Sequence, residues 1–182
     1  MKTEEPTLEE RLRDPKTRRD AFAELIAKFS EPLYWQIRRL VSNHDDADDL
    51  LQNTFMKAWT AMDDFRGDAK LSTWLHKIAL NEALSHLDRQ KRRATESLDD
   101  TEHSAIHTLE ADEWFDGDEA AAAFREAIES LPPKQQMVFN MKYFDDMKYE
   151  DIAEITGTTV GALKATYHFA VKKIENFLRS RH

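Results

Sequence analysis

Thr156–Lys173 reads TGTTVGALKATYHFAVKK, and its reading decides how the rest of the chain is understood. Gly157 takes a tight turn, and the small Ala153, four residues earlier, lets two short helices cross closely. Ile152 and Leu163 are spaced to fill that crossing. This is the pattern of a helix-turn-helix, with a plain helical hairpin as the alternative. Lys164, Lys172, Lys173, Arg179 and Arg181 lie on or just after the second helix against a lone Glu175, a placement suited to phosphates. Yet the chain as a whole carries a formal net charge of -9.

The excess acid is segregated. Residues 1–93 hold 17 Lys and Arg against 17 Asp and Glu, and residues 120–182 hold 9 against 8. Residues 94–119, ATESLDDTEHSAIHTLEADEWFDGDE, carry 10 carboxylates and no Lys or Arg. That segment is polar and lacks sustained helical periodicity, a linker composition. The expected organisation is therefore a first domain over 1–93, an acidic linker over 94–119 and a second domain over 120–182.

Composition narrows the fold further. With 41% hydrophobic and 34% charged residues the chain is globular, and 4 Gly and 5 Pro in 182 residues favour long helices over an all-β fold. The absence of Cys excludes disulfides, thiolate metal sites and Cys catalysis. The N-terminal MKTEEPTLEERLRD has no apolar core of a signal peptide, and no later run approaches membrane-spanning length. A cytoplasmic protein without membrane insertion is expected.

In the first domain, Asp14-Pro15 reads as an N-cap with Pro at the first helical position. Phe22, Leu25, Ile26 and Phe29 follow at amphipathic spacing, and Ser30-Glu31-Pro32 restarts the pattern into Leu33, Ile37, Leu40 and Val41. Asp45, Asp46, Asp48 and Asp49 crowd the next helix N-terminus, where the macrodipole favours carboxylates. Leu51, Phe55 and Trp59 can face the core from this helix, while Asp49, Gln52, Asn53 and Met56 share another face. From spacing alone that second face reads as capping plus solvated surface. After the loop MDDFRGDAK, an apolar stripe runs through Leu71, Leu75, Ile78, Ala79, Ala83, Leu84 and Leu87, and the helix ends in Arg89, Lys91, Arg92 and Arg93. Aromatics beside such a cationic end suit stacking on unpaired bases, as well as a core. In the second domain, Ala120–Ser130 is helical, LPP ends it, and Lys134–Tyr143 makes a further helix with Met137, Val138 and Met141 inward. Asp145-Asp146 supply a turn before the helix-turn-helix.

These blocks, in this order, resemble the extracytoplasmic-function group of bacterial sigma factors from about Asp20 to Leu178. The resemblance is carried by DADDLLQNTFMKAW, FRGDAKLSTWLHKIALNEALSHL, RQKRR and ESLPPKQQMVFNMKYFDDMKYEDIAEITGTTVGALKATYHFAVKKIENFL. It implies an all-α protein in which a σ2 helical bundle and a σ4 helix-turn-helix domain are joined by a flexible acidic linker. It implies that Asp49, Gln52 and Asn53 dock on the β′ clamp helices of core RNA polymerase, which overrides the solvated-surface reading. It implies that Phe65 belongs to the loop that captures a flipped −10 base, that Trp74 and Asn81 belong to the melting helix, and that Arg89, Lys91, Arg92 and Arg93 form its basic tail. Lys164, Ala165 and His168 match the positions that face the −35 element, with Lys172 and Lys173 beside them. Implied partners are core RNA polymerase (β′ clamp helices and β flap), promoter DNA and an anti-sigma factor; no cofactor or metal is implied. The acidic linker would then run through basic polymerase channels as an imitation of RNA, with Trp114 and Phe115 as an apolar anchor; the alternative is a spacer that its charge keeps extended and soluble.

The chain departs from the family pattern at particular places. Leu80, Asp88 and Gln90 stand where basic residues are usual. The recognition helix reads Lys164-Ala165-Thr166 instead of K/R-S-R, and Phe169 and Val171 replace common basic residues, so fewer bidentate readers of guanine remain. A free-standing helix-turn-helix regulator is the alternative, but it leaves the DADDLLQNTF face and the melting helix without a role. No HExxH, GxSxG, Walker A or supported carboxylate pair points to an enzyme. His103 and His107, with Glu110 nearby, have a spacing that could hold a metal, but in a polar linker this reads as coincidence.

Overall fold

A reciprocal cap opens the first helix, α1 (Leu8–Arg13): the Thr7 hydroxyl accepts from the Glu10 amide, and the Thr7 amide donates to the Glu10 carboxylate. The computed structural model describes residues 5–41, 43–97 and 119–181. It divides into two units, Met1–Gln90 and Lys91–His182. The greater part of the acidic stretch, with Trp114, Phe115, His103, His107 and Glu110, lies outside the described residues.

Asp14 closes α1 instead of opening the next helix, which corrects the expected N-cap. Its carboxylate accepts from the Lys16 amide at 2.9 Å, and Pro15 sits in the turn so formed. The second helix, α2 (Arg18–Arg38), is continuous through Pro32, where a restart was expected. An interior Pro forfeits one backbone hydrogen bond. Here Leu33, Gln36 and Ile37 continue the buried stripe of Phe22 and Leu25 in phase, so packing holds the helix together across it.

The third helix, α3 (His44–Thr60), is capped by Asn43, whose side chain accepts from the Asp45 amide at 2.9 Å. Its buried residues are Ala47, Leu50, Thr54, Phe55 and Ala58. The expected inward set is thus shifted: Phe55 is buried, Leu51 is half-buried, and Trp59 is 46% exposed with its ring edge-on to Phe22 at 4.9 Å. The small Ala47 and Ala58 share the packed interior with Leu50 and Phe55. A 3-10 turn (Met62–Asp64) and a loop lead to α4 (Leu71–Ser97), which continues four residues past the expected linker start. Leu71, Leu75, Ala79 and Ala83 join Leu12, Leu25, Leu33, Ile37 and Leu50 in one core.

In the second unit, α5 (Glu119–Glu129), α6 (Pro133–Tyr143) and α7 (Tyr149–Thr156) each pack on the long α8 (Val160–Arg179). Pro133 occupies the first turn of α6, where its missing N–H costs nothing. Ala127, Ile128, Leu131, Phe139, Ala170 and Ile174 form the core, and Phe139 stacks on Tyr167 at 5.7 Å. Val138 and Met141 point inward as expected, and Met137 is half-buried. Among the described residues there is no strand, and no helix is long and apolar enough to cross a membrane.

Candidate nucleic-acid interface

Asp49, Gln52 and Asn53 are exposed on α3, on one face with Met56, which is 66% exposed. That face borders an open groove of about 650 Å³ between α3 and α4, lined among others by Asn53, Met56, Lys57, Trp74, Asn81 and Glu82. Trp74, Ile78 and Asn81 recur at i, i+4 and i+7 along the α4 side of it. Lys57 forms an ion pair with the nearly buried Glu82 and so ties α3 to α4 at the groove. Asn53 therefore belongs both to the acidic face and to the groove that holds Trp74 and Asn81.

Phe65 is buried. It is 6% exposed and packs against Trp74 at a centroid distance of 5.0 Å. Burying its ring in the core anchors the loop, whose surface is instead Arg66, Gly67, Asp68 and Lys70. Two cations from the other side hold this loop in place. Arg13 donates to the Arg66 carbonyl at 2.9 Å, and Arg18 pairs with Asp63 at 2.7 Å while donating to the Leu12 carbonyl. Gly67 has φ +79°, which favours glycine, and a Cβ there would stand 2.2 Å from the Arg13 guanidinium and displace it from the loop. Arg13, Arg18 and Gly67 escaped the sequence reading; the one glycine of residues 1–93 was the available signal.

A pair between α2 and α4 was also missed. The His76 imidazole N–H donates to the Gln36 side-chain oxygen at 2.7 Å, and the Gln36 amide reaches the His76 carbonyl at 3.5 Å. Both residues are buried, and burial lowers the His76 pKa to about 4, so the ring is neutral. The pair fixes α2 to α4. Further along α4, Asp46 meets His86 at 3.3 Å and Gln90 at 3.4 Å. Gln90, which stands where a cation is usual in the family pattern, thus serves the packing of α4 on the start of α3. Arg89, Lys91, Arg92 and Arg93 are exposed; at about 100° per residue Arg89, Arg92 and Arg93 share one face of α4 and Lys91 lies on the opposite side.

In the second unit, Gly157 adopts φ +68° and closes α7, as a left-handed C-cap does. Thr159 then caps α8, its side chain accepting from the Ala162 amide. Ile152 and Leu163 are both buried at the crossing. Lys164, Ala165, His168, Lys172 and Lys173 are all exposed on α8. The first four share one side. Lys173, nine residues from Lys164, is turned about 180° away from it, so the two flank the helix and do not cooperate on one face. Lys164 lies over the Tyr149 ring at 5.8 Å, which orients its stem from α7.

A model of sigma-70 region 2 matches residues 25–93, and one of sigma-70 region 4 matches residues 121–174. RNA polymerase sigma-H factor of Pseudomonas aeruginosa is 31% identical over 87% of this chain and 86% of its own length. The chain belongs to the extracytoplasmic-function group of RNA polymerase sigma factors. The ECF RNA polymerase sigma-E factor of Escherichia coli is 29% identical over 86% of this chain and 85% of its own. The sigma factor RpoE of Bartonella quintana, solved with the anti-sigma factor NepR, superposes with a TM-score of 0.70 at 28% identity, over 87% of this chain and 96% of that one. A sigma factor is a promoter-specificity subunit of RNA polymerase, and this chain has both DNA-facing regions of that family.

Proposed function

We propose that the two units divide the work of promoter recognition. The first docks on core polymerase through Asp49, Gln52 and Asn53 and opens the −10 region along the groove lined by Trp74 and Asn81. The second reads the −35 element from α8 through Lys164, Ala165 and His168, with Lys172 on phosphates. The observation that carries this reading is the groove itself: one exposed residue, Asn53, joins an acidic docking face to the aromatic and amide side chains suited to an unstacked base. The loop anchored by Phe65 contributes its exposed Arg66, Asp68 and Lys70.

On this reading the partners are the β′ clamp helices, the β flap and promoter DNA, and the protein acts in the cytoplasm without chemistry of its own. An anti-sigma factor is a further partner, supported by the relative solved with one. A charge reversal tests the docking face with little structural cost, because Asp49 is exposed. Asp49→Lys is expected to weaken competition for core polymerase by several kcal/mol, about a hundredfold or more, with an unchanged thermal unfolding profile. Undiminished competition by this variant would remove the assignment.

A further inference from the structure

The exposed side of α8 is split along its length. Lys164, His168 and Lys172 follow one another at i, i+4 and i+8 as a polar, cationic row. Ala162, Ala165 and Phe169, at i, i+3 and i+7, make a second row beside it with no polar atom in any side chain. Phe169 is 56% exposed, and its ring leans on that of His168 at 6.0 Å. It is outside the core that Ala170 and Ile174 enter from the same helix. Gly161 lies between the two rows, and a Cβ there would meet nothing within 4 Å. Packing therefore gives no reason for glycine in the first turn of this helix, where alanine is favoured by about 1 kcal/mol.

An apolar ring on a face flanked by cations is suited to one part of a DNA duplex. Phosphates satisfy the cations, and in the major groove the apolar group presented by a base edge is the C5 methyl of thymine. Guanine, by contrast, offers two acceptors that call for a forked donor, which this row lacks. Gly161, Ala162 and Ala165 keep the helix backbone low enough for a close approach, and Phe169 is the side chain long enough to reach down the groove. Resting on the reading of α8 as the −35 reader, we propose that Phe169, supported by Ala165, selects a thymine through its methyl group, so that the −35 element of this sigma factor holds a fixed T at the base pair Phe169 faces.

The experiment uses the full chain on bacterial core polymerase. Active −35 sequences are selected from a randomised library, and each thymine of the selected element is then replaced by deoxyuridine, which removes only the methyl. One fixed thymine is expected, and its replacement should lower initiation about fourfold, the effect of one buried methyl group. Phe169→Ala should lower initiation on the thymine promoter and make thymine and uracil equivalent, and Phe169→Arg should move the selected base towards guanine. Lys172→Ala should lower all promoters alike. Silent deoxyuridine at every position, or sensitivity that survives in Phe169→Ala, overturns the assignment. Loss of core binding in Phe169→Ala with methyl sensitivity intact overturns it in favour of a protein covering this face. If randomising the −35 region costs nothing and Lys172→Ala is silent, the underlying reading of α8 falls with it.

Discussion

His76 shows how a residue remote from solvent can set the conditions under which the first unit persists. Its ordinary pKa of 6.5 falls to about 4 because burial disfavours the charged ring. Between those two values the unfolded chain binds a proton that the folded chain does not. Stability from this residue is thus fully present above about pH 6.5 and is lost as the pH falls towards 4. The shift corresponds to about 3 kcal/mol, since each unit is worth about 1.4 kcal/mol. Urea unfolding at pH 7 and pH 4 should show this loss in the wild type and a smaller one in His76→Gln. Equal pH dependence in the two proteins would mean that His76 does not contribute. The same residue lay within a stripe of apolar positions and carried no sequence signal of its own. Only Gln36, forty residues earlier, reveals why a polar ring is tolerated there.

At the scale of elements, the helix-turn-helix was legible from Gly157, Ala153, Ile152 and Leu163 because each position makes one local demand on residue type. Gly157 holds φ +68° with nothing within 4 Å of a Cβ, so substitution costs backbone strain alone. Gly157→Ala should destabilise the second unit by about 1–2 kcal/mol and Gly157→Asn by less, measured by chemical unfolding. Equal stability of all three would contradict the left-handed cap. The boundaries of α1 and α2 were misread for the opposite reason. Asp14-Pro15 fits both a helix start and an Asx turn, and the choice was made by the Thr7–Glu10 box upstream. The burial of Phe65 was not legible, because an aromatic in a loop carries the same letter whether it anchors the loop or faces a ligand. The melting role rests on the α4 groove. Asn81→Ala should slow initiation about tenfold on a duplex promoter and little on a pre-melted one, since Asn81 is exposed and its loss leaves the core intact. Full activity on the duplex removes Asn81 from the melting surface.

For the whole molecule, the charge distribution settles how an acidic chain can act on a polyanion. Neither flanking segment departs from neutrality by more than one charge, and the acid is confined to residues 94–119. Non-specific attraction to DNA is therefore small, because it grows with the number of phosphates neutralised. Two short contacts, one in each unit, reach useful affinity once a third body fixes their spacing and raises the effective concentration of the second. Core polymerase is that body for a sigma factor. The most direct measurement is promoter binding by the full chain at physiological salt, with and without core polymerase, on matched specific and scrambled duplexes. The account predicts no discrimination by the chain alone and strong discrimination by the holoenzyme. Tight, sequence-specific binding of the isolated chain to duplex promoter would contradict it.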